Sequence, residues 1–166
     1  MQSAEKEAFM ARAKSAIPDG FHTVTPQLAI DNAAEAIDWY KKALGAEEIG
    51  RFKDDEGRVM HAEIRIGNSR IMLNDVMMGK GPKAYGGSPA SLYVYVEDSD
   101  ALFNRAIAAG GRVFGPMGAL ADQFWGDRAG TFVDPFGYQW TVATHKEDLT
   151  PQEMEQRRAQ WMKTTA

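Results

Sequence analysis

With 166 residues the chain has room for one domain of ordinary size, and enough length to bury a core without metal or disulfide staples. Hydrophobic residues at 44% and charged residues at 25% place it among folded globular chains, and a formal net charge of −4 offers no electrostatic footprint for a polyanion, which excludes nucleic acid as the expected partner. Cysteine is absent from the sequence, which removes disulfides, thiolate nucleophiles and Cys-ligated zinc or iron–sulfur sites.

Residues 1–19 mix Glu5, Lys6, Glu7, Arg12 and Lys14 with alanines. They read as an N-terminal helical arm with Phe9, Met10 and Ala13 on its apolar edge, and they lack the apolar stretch of a signal peptide. No apolar segment approaches membrane-spanning length, so no membrane partner is expected and the cytoplasm is the expected compartment. Residues 25–32 alternate as a strand and run into a helix pattern from Ala33 to Leu44. Asn32 with Glu35 is positioned to cap that helix and Gly45 to close it. Strands are predicted for Arg58 to Ile66 and Arg70 to Asp75, joined by Gly67, Asn68 and Ser69. A Gly/Pro-rich connector follows at 79–88.

The second half repeats the first. Residues 91–98 alternate again and run into a helix pattern from Ala101 to Ala109, opened by Asp98 and closed by Gly110 and Gly111. Leu28 with Val94, Ile30 with Val96, and Gly45 with Gly111 share one offset of 66 residues. Strands from Gly130 to Val133 and from Tyr138 to Thr144 flank the turn Asp134 to Gly137. At 149–166 a C-terminal helix is predicted, with Thr150 and Glu153 as its capping box and Met154 and Trp161 on one apolar edge.

The segments Ile37 to Gly45, His61 to Gly67, Ile71 to Asp75, Asp122 to Arg128 and Asp134 to Trp140 resemble the vicinal oxygen chelate superfamily, which includes glyoxalase I, extradiol dioxygenases and bleomycin-resistance proteins, and within it most closely the PhnB-like branch. The resemblance implies an α+β fold of paired βαβββ modules forming a curved mixed sheet around a cavity, with terminal helices. On that pattern 20–148 is one domain, with module one at 20–78, a linker at 79–88 and module two at 89–148. A homodimer is also implied, and open sheet edges that need covering point the same way.

The family's metal enzymes take ligands from the first and last strands of each module. By that resemblance the positions fall on Thr25, Met72, Ser91 and Thr141, none of them His, Glu or Asp. Hydroxyls and a thioether do not make a site for zinc or a hard divalent cation, so no metal and no cofactor is expected. A substitute set of His61, Glu63 and Asn74 is conceivable if their strands pair, but the i, i+2 spacing of His61 and Glu63 suits an ordinary half-buried strand better. His22 and His145 read as edge histidines.

Strand parity turns Gln27, His61, Glu63, Asn74, Tyr93, Tyr95 and Thr141 toward the cavity. The segment Asp122 to Arg128 reads as a loop reaching the sheet, with Trp125 more exposed than Phe124; the alternative packs Phe124 under the sheet and pairs Asp127 locally with Arg128. The candidate ligand-binding residues are Gln27, His61, Asn74, Tyr93, Tyr95, Phe124 and Trp125, and the expected ligand is a small amphipathic or aromatic molecule. The expected function is a metal-free small-molecule binding protein. The alternative is a lyase, isomerase or dioxygenase, metal-assisted or using His61 and Glu63 as acid and base.

Overall fold

Asn32 starts the first helix from a left-handed backbone (φ 63°): its Oδ1 accepts from the Glu35 amide at 3.3 Å, while its Nδ2 donates to the Glu35 carboxylate at 2.9 Å. The expected cap is therefore reciprocal, with the return bond made to the asparagine side chain rather than its backbone. That helix, α1 (Ala33–Leu44), follows strand β1 (Gln27–Ile30) and is closed by Gly45 at φ 66°. In the computed structural model, residues 13–116 and 118–164 are described. The expected N-terminal arm falls largely outside them, and its described part, 13–19, is bend and turn rather than helix.

Module one continues through β2 (Glu47–Lys53), β3 (Val59–Ile66) and β4 (Ser69–Asp75) in a four-stranded sheet of order β1-β4-β3-β2, with β1 parallel to β4. Module two repeats the arrangement: β5 (Ser91–Tyr95), helix α2 (Ser99–Ala108), β6 (Arg112–Val113), β7 (Ala121–Asp122), β8 (Asp127–Val133) and β9 (Gln139–His145). Its sheet runs β5-β9-β8-β6 with β7 also on β8, and β5 is parallel to β9. The registers carry the repeat: Gln27 stands opposite Met72 where Tyr93 stands opposite Thr141. The curved mixed sheet thus comes in two pieces. At the end of α2 it is Gly110, at φ 111°, that takes the positive backbone angle, not Gly111.

The two modules join back to back through their helices. Trp39 donates its indole N–H to the Ala109 carbonyl just past the end of α2 at 2.8 Å, and Arg105 on α2 donates to the Ala43 carbonyl near the end of α1 at 3.0 Å. Each helix thus supplies a donor to orphan carbonyls at the other's C-terminus. Beneath them Trp39, Tyr40, Phe132, Phe136 and Trp140 pack edge to face or tilted, with centroids 5.3 to 6.4 Å apart. Asp134 sits inside this cluster at 2% exposure. It accepts from Tyr40 Oη (2.7 Å), Trp140 Nε1 (2.8 Å) and the amides of Phe136 and Tyr138 (both 2.9 Å). Burial pushes its carboxyl above the ordinary value despite these donors.

Leu28, Ile30, Ala62, Ile64, Ile71, Leu73, Trp140 and Val142 fill the helix-facing side as parity requires. The opposite faces of both sheets are left for the site. The C-terminal helix, α3 (Pro151–Thr164), carries the Thr150–Glu153 capping box and has no fully buried residue. It is tied back by Arg157 to Glu147 (2.5 Å) and by Trp161 against Phe124 (centroids 5.9 Å).

Candidate functional site

The β7–β8 hairpin builds the site, because its turn is pulled onto the chain leaving β9. Gly126, at φ 95°, lies so close that a Cβ there would meet the Glu147 carbonyl oxygen at 2.4 Å. The Gly126 carbonyl in turn accepts from the amides of Lys146 and Glu147. This approach starts β8 at Asp127, where sequence reading places a loop, and sets Asp127 directly opposite His145 across the β8–β9 pair. Side chains so paired share a face.

Asp127, 2% exposed, is the hub of that face. Its Oδ2 accepts from Tyr95 Oη (3.0 Å), Trp125 Nε1 (3.0 Å) and Tyr93 Oη (3.1 Å), and its Oδ1 lies 2.8 Å from His145 Nδ1. The other His145 nitrogen is 3.0 Å from the exposed carboxylate of Asp148. Ala129 and Ala143, paired across the strands and buried, lie between Asp127 and the tyrosines in register, since Tyr95 stands opposite Ala143. The tyrosine rings stand 5.0 Å apart at 41°.

The electrostatics follow from this geometry. Burial pushes the Asp127 carboxyl up, but the hydrogen bonds from His145, Tyr95, Tyr93 and Trp125 outweigh it and hold the group below the ordinary aspartate value. The hydrogen bonds to Asp148 and Asp127 raise His145 above the ordinary histidine value. Burial, reinforced by the Asp127 bond, pushes the Tyr93 phenol up to about 12. The result is a buried carboxylate holding neutral phenols and an indole in fixed orientation.

Tyr93 and Tyr95 also wall a cavity of about 480 Å³ between β5 and the β3–β4 turn. Thr25, Asn68, Arg70 and Ser91 supply its polar lining and Pro26, Ile71 and Val94 its apolar lining. Arg70 lies over the Phe21 ring (4.9 Å) and donates to Glu63 at 2.8 Å.

A family model described as the Glyoxalase/Bleomycin resistance protein/Dioxygenase superfamily matches residues 20–142. The chain belongs to this superfamily. It is 40% identical over 138 residues to an uncharacterized protein of Mycobacterium bovis, covering 80% of this chain and 89% of that protein. TioX from Micromonospora sp. ML1 superposes with a TM-score of 0.58 at 25% identity, over 78% of this chain and 100% of TioX. The PhnB protein from Bacillus cereus superposes with a TM-score of 0.57 at 22% identity, over 74% of this chain and 99% of its own, and speaks for the fold.

The superfamily's metal positions do not fit a metal here by the chemistry of their donors. Thr141 Oγ1 is engaged with Thr131 Oγ1 at 2.8 Å, and Thr25, Met72 and Ser91 bring two further hydroxyls and a thioether. The substitute set does not assemble either. Glu63 is bound to Arg70 at 2.8 Å and lies 3.4 Å from His61, while Asn74 accepts from Gln27 at 3.0 Å and donates to the Asp75 carbonyl at 2.9 Å. Among the described residues no three His, Asp or Glu side chains are grouped to hold a metal ion.

The seven expected ligand-binding residues fall into groups. Tyr93, Tyr95 and Trp125 meet at Asp127, and Phe124 touches the group through Trp125 (4.9 Å, edge on). Gln27 and Asn74 form their own pair on the other sheet, and His61 stands beside Glu63. Phe124 and Trp125 are both half-buried, so neither is the distinctly exposed member.

Sequence reading misses two members, Asp127 and His145. The local pair that one reading gives Asp127 and Arg128 does not form, because neighbours on a strand face opposite ways. Arg128 instead bridges Asp100 (2.5 Å) and Asp122 (3.2 Å). Starting the strand at Asp127 would have exposed the Asp127–His145 pairing.

Proposed function

We propose that this protein binds a small amphipathic or aromatic molecule without a metal, in the cavity walled by Tyr93 and Tyr95. The observation that carries the reading is the fixing of both phenols, with Trp125, on one buried carboxylate beside that cavity. Aromatic groups held rigid lose little entropy when a ligand stacks on them, and the hydroxyls of Thr25 and Ser91 with Arg70 elsewhere in the lining give orientation. A thermal-shift screen of metabolites and antibiotics tests it. A ligand at 100 times its dissociation constant should stabilise the fold by about 2.7 kcal/mol. A broad library without one stabilising compound would speak for a purely structural module.

The metal-enzyme reading is separated by elemental analysis of protein purified without chelator and refilled with nickel, iron, zinc or manganese. The expected result is no stoichiometric metal; about one equivalent would restore the metal-enzyme reading. The proposed partner is a second copy of the chain, since Phe52 (69% exposed) and Tyr95 (62% exposed) leave apolar area on open sheet faces. Light scattering at micromolar concentration should give a mass near twice 18.3 kDa, and a monomer throughout would reject the dimer.

A further inference from the structure

A second cleft, of about 410 Å³, lies between the connector and module two. It shares no lining residue with the tyrosine cavity. Its frame is fixed by contacts to the main chain. A 3₁₀ turn at Pro82–Tyr85 docks on the turn that follows β8, the Ser88 amide donates to the Gly137 carbonyl at 2.8 Å, and Gln139 Nε2 donates to the Ser88 carbonyl at 2.9 Å. Gly137, at φ 97°, makes the approach possible, since a Cβ there would stand 3.2 Å from Pro82 Cβ and 3.3 Å from the Lys83 nitrogen.

Charge in this cleft is one-sided. Lys83 and Arg112 line it, both exposed. Arg51, Arg58, Arg65, Arg70, Arg105, Arg128, Arg157 and Arg158 each hold a carboxylate or a carbonyl. Among the described residues Arg112 is the arginine whose guanidinium has no such partner. The acid in the lining, Asp134, adds no free acceptor, because both its oxygens are bonded to donors in the core and its backbone turn. Phe114 (47% exposed), Val133 and Pro135 provide an apolar wall beside the cations.

We propose that this cleft binds a small amphipathic anion, a carboxylate or phosphate monoester on a compact apolar body. The free guanidinium of Arg112 offers a planar fork that matches either head group, Lys83 adds a second positive charge, and Phe114 receives the apolar part. An uncompensated cation pair in a chain of net charge −4 makes the preference for an anion local rather than global.

Amide-resolved NMR titration of the full chain tests this with benzoate and phenyl phosphate as probes and benzyl alcohol as the neutral control. Either anion should shift the resonances of Arg112, Phe114, Ser88 and Gly137 and leave the Trp125 indole unmoved. Arg112→Gln should weaken that anion at least tenfold, Lys83→Gln should weaken it less, and neither should alter the response to benzyl alcohol. Benzoate and phenyl phosphate together resolve which head group is preferred. The proposal is overturned if neither anion shifts these amides, if Arg112→Gln leaves the anion affinities unchanged, or if the neutral control binds as tightly as the anions. Because the two cavities share no residue, either outcome leaves the tyrosine cavity to its own test.

Discussion

Replacing Asp127 separates what its two oxygens do. Oδ2 carries three donors, from Tyr93, Tyr95 and Trp125, while Oδ1 faces His145. Asp127→Asn can keep its remaining oxygen under the three donors and turn its amide toward His145, whose Nδ1 must then accept. This variant should hold most of its stability and lose the upward shift of His145 that Asp127 provides. Asp127→Ala removes every acceptor. A net gain of about 1.5 to 3 kcal/mol per charged hydrogen bond overstates the loss, because the Tyr95 phenol, on a residue 62% exposed, rehydrates readily and the Tyr93 phenol does so in part. The expected cost is about 2 to 4 kcal/mol, dominated by the less exposed Trp125 and Tyr93 donors. Urea denaturation at pH 7 measures both variants. An alanine variant within about 0.5 kcal/mol of the parent, the range of an ordinary surface substitution, would refute the hub. Equal losses for Asn and Ala would refute the division between the oxygens.

The His145 pair also sets a pH dependence. Because its pKa is raised in the folded state, the associated stability is in place below the ordinary histidine value of 6.5 and is lost as pH rises through the raised value. Asp127 acts in the other direction, its contribution being present above 3.8 and lost as pH falls through the lowered value. Urea midpoints should therefore fall from pH 6 toward pH 9, and His145→Gln should flatten that slope. Gly130→Ala would place a Cβ 2.6 Å from Phe103 Cε2 and 3.0 Å from the Leu120 Cα, and should destabilise by about 1 to 3 kcal/mol without changing any hydrogen bond, which thermal melts would register. Tyr40→Phe removes one of the four donors to buried Asp134 and should cost about 1 to 2 kcal/mol in chemical denaturation; no loss would mean that the donor contributes nothing to joining the modules.

Most of the fold is legible in the sequence because the periodicities are local. Leu28 and Ile30 repeat as Val94 and Val96, and the caps at Asn32 and Asp98 need only neighbours three residues away. What is not legible depends on chain segments meeting. Trp39 bonds a carbonyl 70 residues on, and Tyr138 donates to Ala29 across 109 residues at 2.9 Å. Nothing near either residue announces such a partner. The site shows the same division. Tyr93 and Tyr95 follow from strand parity, but Asp127 becomes a hub only because Gly126 admits the Glu147 carbonyl and brings the start of β8 beside His145. His145, read alone as an edge histidine, is half of a pair whose other half looks like a loop residue in sequence.

The central claim is that the aromatic wall beside Asp127 is where a ligand binds. Titration calorimetry with the best stabilising compound from the screen, run on the parent, Tyr95→Phe and Tyr95→Ala proteins, addresses it most directly. Tyr95→Phe keeps the ring but releases it from Asp127 and should lose part of the affinity, whereas Tyr95→Ala should weaken binding further, by about an order of magnitude, the loss of one stacked aromatic contact. Equal affinity in all three proteins would place the ligand elsewhere and contradict the account.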